Sequence, residues 1–189
     1  AVCISAGAVQ EPVSENRDAE IESPVIANDL SNQKVTAIAE DTQGHIWIGT
    51  FRGLNKNNVH DYHQYFCTDD SLGLPDNQIT HLLRDSKNRF WVGTVNGVCL
   101  YTDKDNFRII PIEADNKNVR QILEDRNGRI FFNTGFQLYA YHPREEKITC
   151  VLPGISLGNT SYAQCHIALD NNLLVMTSTG LCSYDLSTL

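Results

Sequence analysis

The stretch Val35-Thr-Ala-Ile38-Ala-Glu-Asp41-Thr-Gln-Gly44-His-Ile46-Trp47-Ile48-Gly49-Thr50-Phe-Arg-Gly53-Leu54 decides the fold, because the chain repeats it. A second copy runs Ile79-Thr-His-Leu82-Leu-Arg-Asp85-Ser-Lys-Asn88-Arg-Phe90-Trp91-Val92-Gly93-Thr94-Val-Asn-Gly97-Val98. A third runs Val119-Arg-Gln-Ile122-Leu-Glu-Asp125-Arg-Asn-Gly128-Arg-Ile130-Phe131-Phe132-Asn133-Thr134 and continues to Leu138. A degraded fourth, Ile167 to Leu181, has a turn two residues shorter. The aligned threonines Thr50, Thr94, Thr134 and Thr177 fall 44, 40 and 43 residues apart, the spacing of four-stranded propeller blades.

Each unit reads as a small antiparallel sheet. Val35 to Glu40 predicts a strand, and Asp41-Thr-Gln-Gly44 a tight turn in which Asp bonds the backbone two residues on and Gly supplies a positive φ. Asn88 takes the glycine's place in the second unit, since Asn tolerates that conformation next best. The following strand, His45 to Thr50, carries Trp47 where the other units carry Trp91 and Phe131, and a ring stacked between adjacent blades accounts for the recurrence. Gly53 and Gly97 close a second hairpin, and more polar outer strands follow. A helical array of the same period would show apolar residues at three-and-four spacing, whereas these segments are β-branched, aromatic and broken by Gly, Asn and Asp every eight to twelve positions.

The fold class is therefore all-β, about four four-stranded units near 25–68, 69–110, 111–152 and 153–189, after an N-terminal segment 1–24. That segment opens with Ala1 to Gln10, small and apolar with Ala6-Gly7-Ala8 placed like a cleavage site. It reads as the remnant of an export signal or as a flexible N-terminal segment. The net charge of −8, with Lys and Arg scattered along the chain, argues against nucleic acid as a partner.

The units resemble the two-component regulator propeller repeat: asparagine, a hydrophobic pair, an Asp-x-x-Gly turn, Trp, then Gly-Thr-x-x-Gly-Leu. Its positions here are Asp41, Gly44, Trp47, Gly49, Thr50 and Gly53, then Asp85, Trp91, Gly93, Thr94 and Gly97, then Asp125, Gly128, Phe131 and Thr134. The match is clearest in Asn32-to-Leu54 and Asn77-to-Val98, weaker in Asn118-to-Leu138, where Phe131 replaces Trp and Asn133 replaces Gly, and weakest after Cys165. The resemblance implies a fragment of a seven-bladed propeller from the periplasmic part of a hybrid two-component sensor histidine kinase anchored in the inner membrane. Such proteins sense oligosaccharides in gut bacteria, control polysaccharide-use genes through a phosphorelay and act as homodimers. Its implied partners are an oligosaccharide ligand and the remainder of the propeller and sensor chain. The alternatives are a non-catalytic protein-interaction propeller and, third, a propeller lyase.

No catalytic motif, cofactor or metal is called for: there is no Gly-x-Ser-x-Gly elbow, phosphate loop or His-Glu-x-x-His. His60-Asp61-Tyr62-His63 reads as an outer polar strand, because residues three apart on a strand point to opposite faces. Asp69-Asp70 and Glu145-Glu146 read as solvated loop acids, and Asn159-Thr160-Ser161 matters only as a eukaryotic glycosylation signal. Of the six cysteines, Cys165 and Cys182 would lie two strand spacings apart, about 9.5 Å, beyond the reach of a disulfide, and Cys99 and Cys182 a whole blade apart. The expectation is buried free thiols. A ligand is expected at loops on one end of the propeller, where the hairpin-tip residues Arg52, Asn96, Phe136 and Thr179 occupy equivalent positions.

Overall fold

The computed structural model describes residues 30–57, 62–68, 72–102, 104–134, 137–152, 165–167, 172–177 and 180–188. The N-terminal segment 1–24 and the motifs at Asp69-Asp70 and Asn159-Thr160-Ser161 lie outside them. Every regular element among the described residues is a strand. Sheet one is β1 (Val35–Glu40), β2 (Ile46–Thr50), β3 (Gly53–Asn57) and β4 (Tyr62–Tyr65). Sheet two is β5 (Ile79–Arg84), β6 (Phe90–Thr94), β7 (Gly97–Tyr101) and β8 (Phe107–Ile110), and sheet three is β9 (Gln121–Glu124), β10 (Ile130–Asn133), β11 (Leu138–His142) and β12 (Lys147–Leu152). The fourth holds β13 (Cys165–Ile167), β14 (Asn172–Thr177) and β15 (Gly180–Asp185). All pair antiparallel in chain order, so each sheet is a meander, and three have four strands while the described part of the last has three. First strands touch in succession, β1 against β5, β5 against β9 and β9 against β13, so the sheets fan out from a shared hub as propeller blades.

The core lies between blades, and the two-residue period of a strand builds it. On β6, Trp91 packs into the cluster shared with the third blade, while Phe90 and Val92 pack into the cluster shared with the first. On β10, Phe131 points toward the fourth blade and Ile130 and Phe132 back toward the second. The second strands β6 and β10 are thus buried on both faces, which is why they read as apolar runs rather than alternations. Each ring or branched side chain so buried is worth about 1.5–3 kcal/mol. Trp47 lies 4.8 Å from Phe90 and 4.7 Å from Tyr101, and Trp91 lies 5.2 Å from Tyr141, so each repeat tryptophan packs against rings of the next blade.

The turns take the expected form. Gly44 and Gly128 sit at φ 81° and 76°, with Asn88 at 63° in the equivalent place. The asparagine of the repeat is placed differently from the reading above. Asn32, Asp76 and Asn116 are the equivalent residues, each accepting from the backbone N–H two positions on, at 2.9, 2.7 and 2.9 Å. Asn77 instead accepts from Cys67 N at 2.7 Å.

The cysteine expectation needs correcting. Cys67, Cys99 and Cys150 are free thiols, but of these only Cys99 is buried; Cys67 and Cys150 are exposed, and Cys182 is half-buried. Cys99 occupies a position buried on both faces of the blade, whereas Cys150 sits on the outermost strand of its sheet, where the packing ends. The backbones of Cys165 and Cys182 both pair with Val175, from opposite sides, so they lie two strands apart.

Candidate ligand-binding face

A meander places its turns alternately at two ends. At one end lie the β2–β3 hairpins together with the crossovers into the next blade; at the other lie the Asp-x-x-Gly turns and the β3–β4 connections.

The hairpin end is built by the Gly-Thr-x-x-Gly pattern. Thr50 Oγ1 donates to Gly53 O at 2.8 Å and accepts from Arg52 N at 3.1 Å; Thr94 does the same with Gly97 O at 3.0 Å and Asn96 N at 3.2 Å. The closing glycines have φ of 126° and 132°, a conformation side chains resist. Gly53 N donates to Asn77 O at 2.7 Å and Val119 N to Thr94 O at 3.0 Å, so each tip is tied to the loop entering the next blade. Arg52 and Asn96 therefore stand exposed on rigid, equivalent tips of adjacent blades. Lys34 lies 3.6 Å above the Phe51 ring beside the first tip, and Asn96 Nδ2 donates to Pro75 O at 3.4 Å beside the second. Phe136 and Thr179 lie outside the described residues.

At the opposite end the carboxylates are engaged in holding the fold. Asp85 Oδ1 accepts from Lys87 N at 3.0 Å and Arg89 N at 2.9 Å, and Oδ2 from Arg89 Nε at 2.6 Å and Trp91 Nε1 at 2.8 Å. Asp125 repeats this with Asn127 N, Arg129 N and Arg129 Nε at 2.9, 2.8 and 2.7 Å, and Phe131 there has no N–H to add. Burial acts to raise the Asp41 carboxyl, but donors from Trp47, Gln43 and His45 outweigh it and hold the group below its ordinary value. Every oxygen of these three carboxylates accepts at least one hydrogen bond from its own turn or the strand that follows. No three His, Cys, Asp or Glu side chains among the described residues are grouped to hold a metal; His60 and Asp61 lie outside them, and His63 pairs across from Lys56.

Sequence reasoning passed over the outer rim between blades one and two. There Asp105 accepts from Tyr65 OH at 2.8 Å and Tyr101 OH at 2.5 Å, while Lys56 Nζ donates to Tyr101 OH at 3.0 Å and lies 5.2 Å from the Trp47 ring. The two phenols hold the Asp105 carboxyl below its ordinary value against burial, with help from the Lys56 charge. Burial first, and then Asp105, pushes the Tyr65 phenol up.

The two component regulator propeller family matches residues 29–52 and 73–96, the two copies with both the Trp and the Gly-Thr tip. Two of these units are two-component regulator propeller repeats. The propeller also resembles solved structures. The extracellular domain of BT4673 from Bacteroides thetaiotaomicron, described as a hybrid two-component system, aligns at 25% identity with a TM-score of 0.70, covering 84% of this chain and 22% of that one. That of BT3049 from the same organism aligns at 21% and 0.66, covering 85% and 23%. Virginiamycin B lyase from Staphylococcus aureus shares the fold at 19% and 0.58, covering 84% and 58%. The chain spans less than a quarter of the two sensor domains it matches. No curated protein sequence matches.

Proposed function

We propose that this chain is part of the extracytoplasmic, ligand-sensing propeller of a two-component sensor histidine kinase, recognising an oligosaccharide and controlling polysaccharide-use genes. The carrying observation is the alignment of 84% of the chain, at 25% identity, with the extracellular domain of a system described as two-component. The hairpin end supports it. Exposed side chains stand there on tips tied to the neighbouring blade, the arrangement expected when loops recognise and strands hold them in place. In this reading Arg52 and Asn96 donate to sugar hydroxyls, the rest of the sensor chain carries the signal through the inner membrane, and a homodimer transmits it.

The test is calorimetric titration of the chain with a panel of plant and host oligosaccharides, repeated on the Arg52→Ala/Asn96→Ala variant. One glycan class should bind without being consumed, and the variant should bind about tenfold more weakly, about 1.4 kcal/mol. Glycan consumption would replace the sensor by a lyase, and absence of binding to every glycan would remove the reading.

A further inference from the structure

Both rims hold a cleft, about 350 Å³ between blades one and two and about 540 Å³ between blades two and three, and the repeat shows why the second is larger. Strand pairing makes Tyr65 equivalent to Ile110, Tyr101 to Tyr141, and Phe107 to Ile148. At the first rim the rings of Tyr65, Tyr101 and Phe107 crowd together, with Tyr65 5.4 Å from Phe107 and 6.3 Å from Tyr101. At the second rim two of those rings are isoleucines. The turn acid differs as well. Asp105 and Glu146 hold equivalent left-handed positions, at φ 57° and 51°. Asp105 accepts from Tyr101 of its own blade and Tyr65 of the preceding one, whereas Glu146 pairs with Arg108 Nη1 of the preceding blade at 3.1 Å.

The result is a cleft of about 540 Å³, lined among others by Arg108, Ile110, Tyr139, Tyr141, Ile148 and Cys150. That volume lies in the range of small-molecule sites, about 300–1,000 Å³. Its chemistry is mixed. Isoleucines and tyrosines form the walls, Arg108 and Glu146 pair at the rim while presenting donors and acceptors side by side, and Glu113 adds a second acid. Arg108 Nη2 also points at Tyr141 OH, 3.5 Å away.

We infer that this rim cleft is a second binding site, distinct from the Arg52 and Asn96 tips, for a neutral sugar of one or two pyranose rings. An uncharged ring with an apolar face and a hydroxylated edge matches apolar walls edged by a paired arginine and glutamate; an anion would meet Glu113 beside Glu146, and a cation would compete with Arg108 for Glu146. The ligand class rests on the oligosaccharide reading above; the location does not.

Cys150 makes the site testable, since its exposed thiol lines the cleft while the exposed thiol of Cys67 does not. Alkylation of both would be followed by peptide mass spectrometry with methyl glucoside, cellobiose, maltose and xylobiose, and heats of binding recorded on the same samples. One sugar, at about ten times its Kd, should slow labelling of Cys150 about tenfold and leave Cys67 unchanged. Ile148→Phe, which puts at this rim the larger ring that Phe107 supplies at the other, should abolish both the protection and its share of the heat while the thermal melt stays cooperative. Ile148→Val serves as a conservative control and should keep the protection. If no sugar protects Cys150, or if Ile148→Phe leaves protection intact, the cleft is not a site. Sugar heat that persists in that case and falls with Arg52→Ala/Asn96→Ala leaves the sensor reading standing alone.

Discussion

The indole N–H of Trp91 donates to Asp85 Oδ2 at 2.8 Å, and through that bond the turn between the first two strands of a blade is fastened to the ring that packs against the next blade. Trp47 and Asp41 repeat it at 2.9 Å. One residue pair thus couples local turn formation to long-range packing.

Trp91→Phe keeps most of the ring and removes the donor. Asp85, whose side chain is fully buried, would retain Arg89 Nε at 2.6 Å, as Asp125 retains Arg129 Nε beside Phe131 at 2.7 Å. The variant should fold and lose about 1.5–3 kcal/mol, the range for a hydrogen bond to a charged group. Asp85→Ala strips all four donors and leaves the Arg89 guanidinium without its partner, and should cost about 3–5 kcal/mol. Urea midpoints at constant m-value would check the order; an unchanged midpoint in Trp91→Phe would mean the indole bond carries nothing.

The glycine before the tip threonine is demanded by the next blade. A methyl group on Gly49 would sit 2.5 Å from Ile79 Cγ2, and one on Gly93 3.1 Å from Val119 Cγ1. Gly49→Ala should therefore destabilise by about 1–3 kcal/mol through overpacking, and Gly93→Ala by less. Ile79→Ala in the Gly49→Ala background removes the clashing methyl, so thermal melts of the double variant should show a loss smaller than the sum of the single ones.

What was legible in the sequence is what the hub and second strands impose. Asp41, Gly44, Trp47, Gly49 and Thr50 recur because a turn, a ring, a close approach and a tip hydrogen bond are needed in every blade, and Asn88 could be read as a glycine substitute from its φ requirement alone. The rims were not legible. Lys56, Leu100 and Ala140 are equivalent by pairing yet range from a charged chain to a methyl group, because blades diverge outward and each rim is filled in its own way. The Tyr65/Ile110 and Phe107/Ile148 exchanges were present in the sequence but needed the fourth-strand register to be seen. Burial of the cysteines failed for the same reason: Cys99 obeys the two-faced burial of its strand, and Cys150 belongs to the variable rim.

Acid should loosen the first rim. The Asp105 carboxyl is held below its ordinary value in the folded chain by Tyr101 and Tyr65, against burial and with the Lys56 charge assisting, so its contribution is present above the unfolded value near 3.8 and is lost as pH falls through the lower folded value. Asp105 is mostly exposed, so the contribution is small. Melts between pH 6 and pH 3 should show a slightly steeper fall in midpoint for the parent chain than for Asp105→Asn, whose hydrogen bonds no longer depend on ionisation. Parallel curves would mean Asp105 does not brace the rim.

Cys99 should report opening of the blade itself. Its thiol is fully buried, lies 3.8 Å from Val92 O on the neighbouring strand, and is pushed well up by burial, so an alkylating reagent meets neither surface nor thiolate in the folded chain. Asn55 fills the equivalent place in the first blade and donates to Ile48 O at 3.0 Å, which marks the position as a donor site buried in the sheet. Labelling of Cys67 should be fast and insensitive to urea, while labelling of Cys99 should be slow and rise with urea along the slope of global unfolding. A Cys99 rate that instead rises with a much shallower slope would show that the second blade opens by itself, without the clusters on its two faces coming apart.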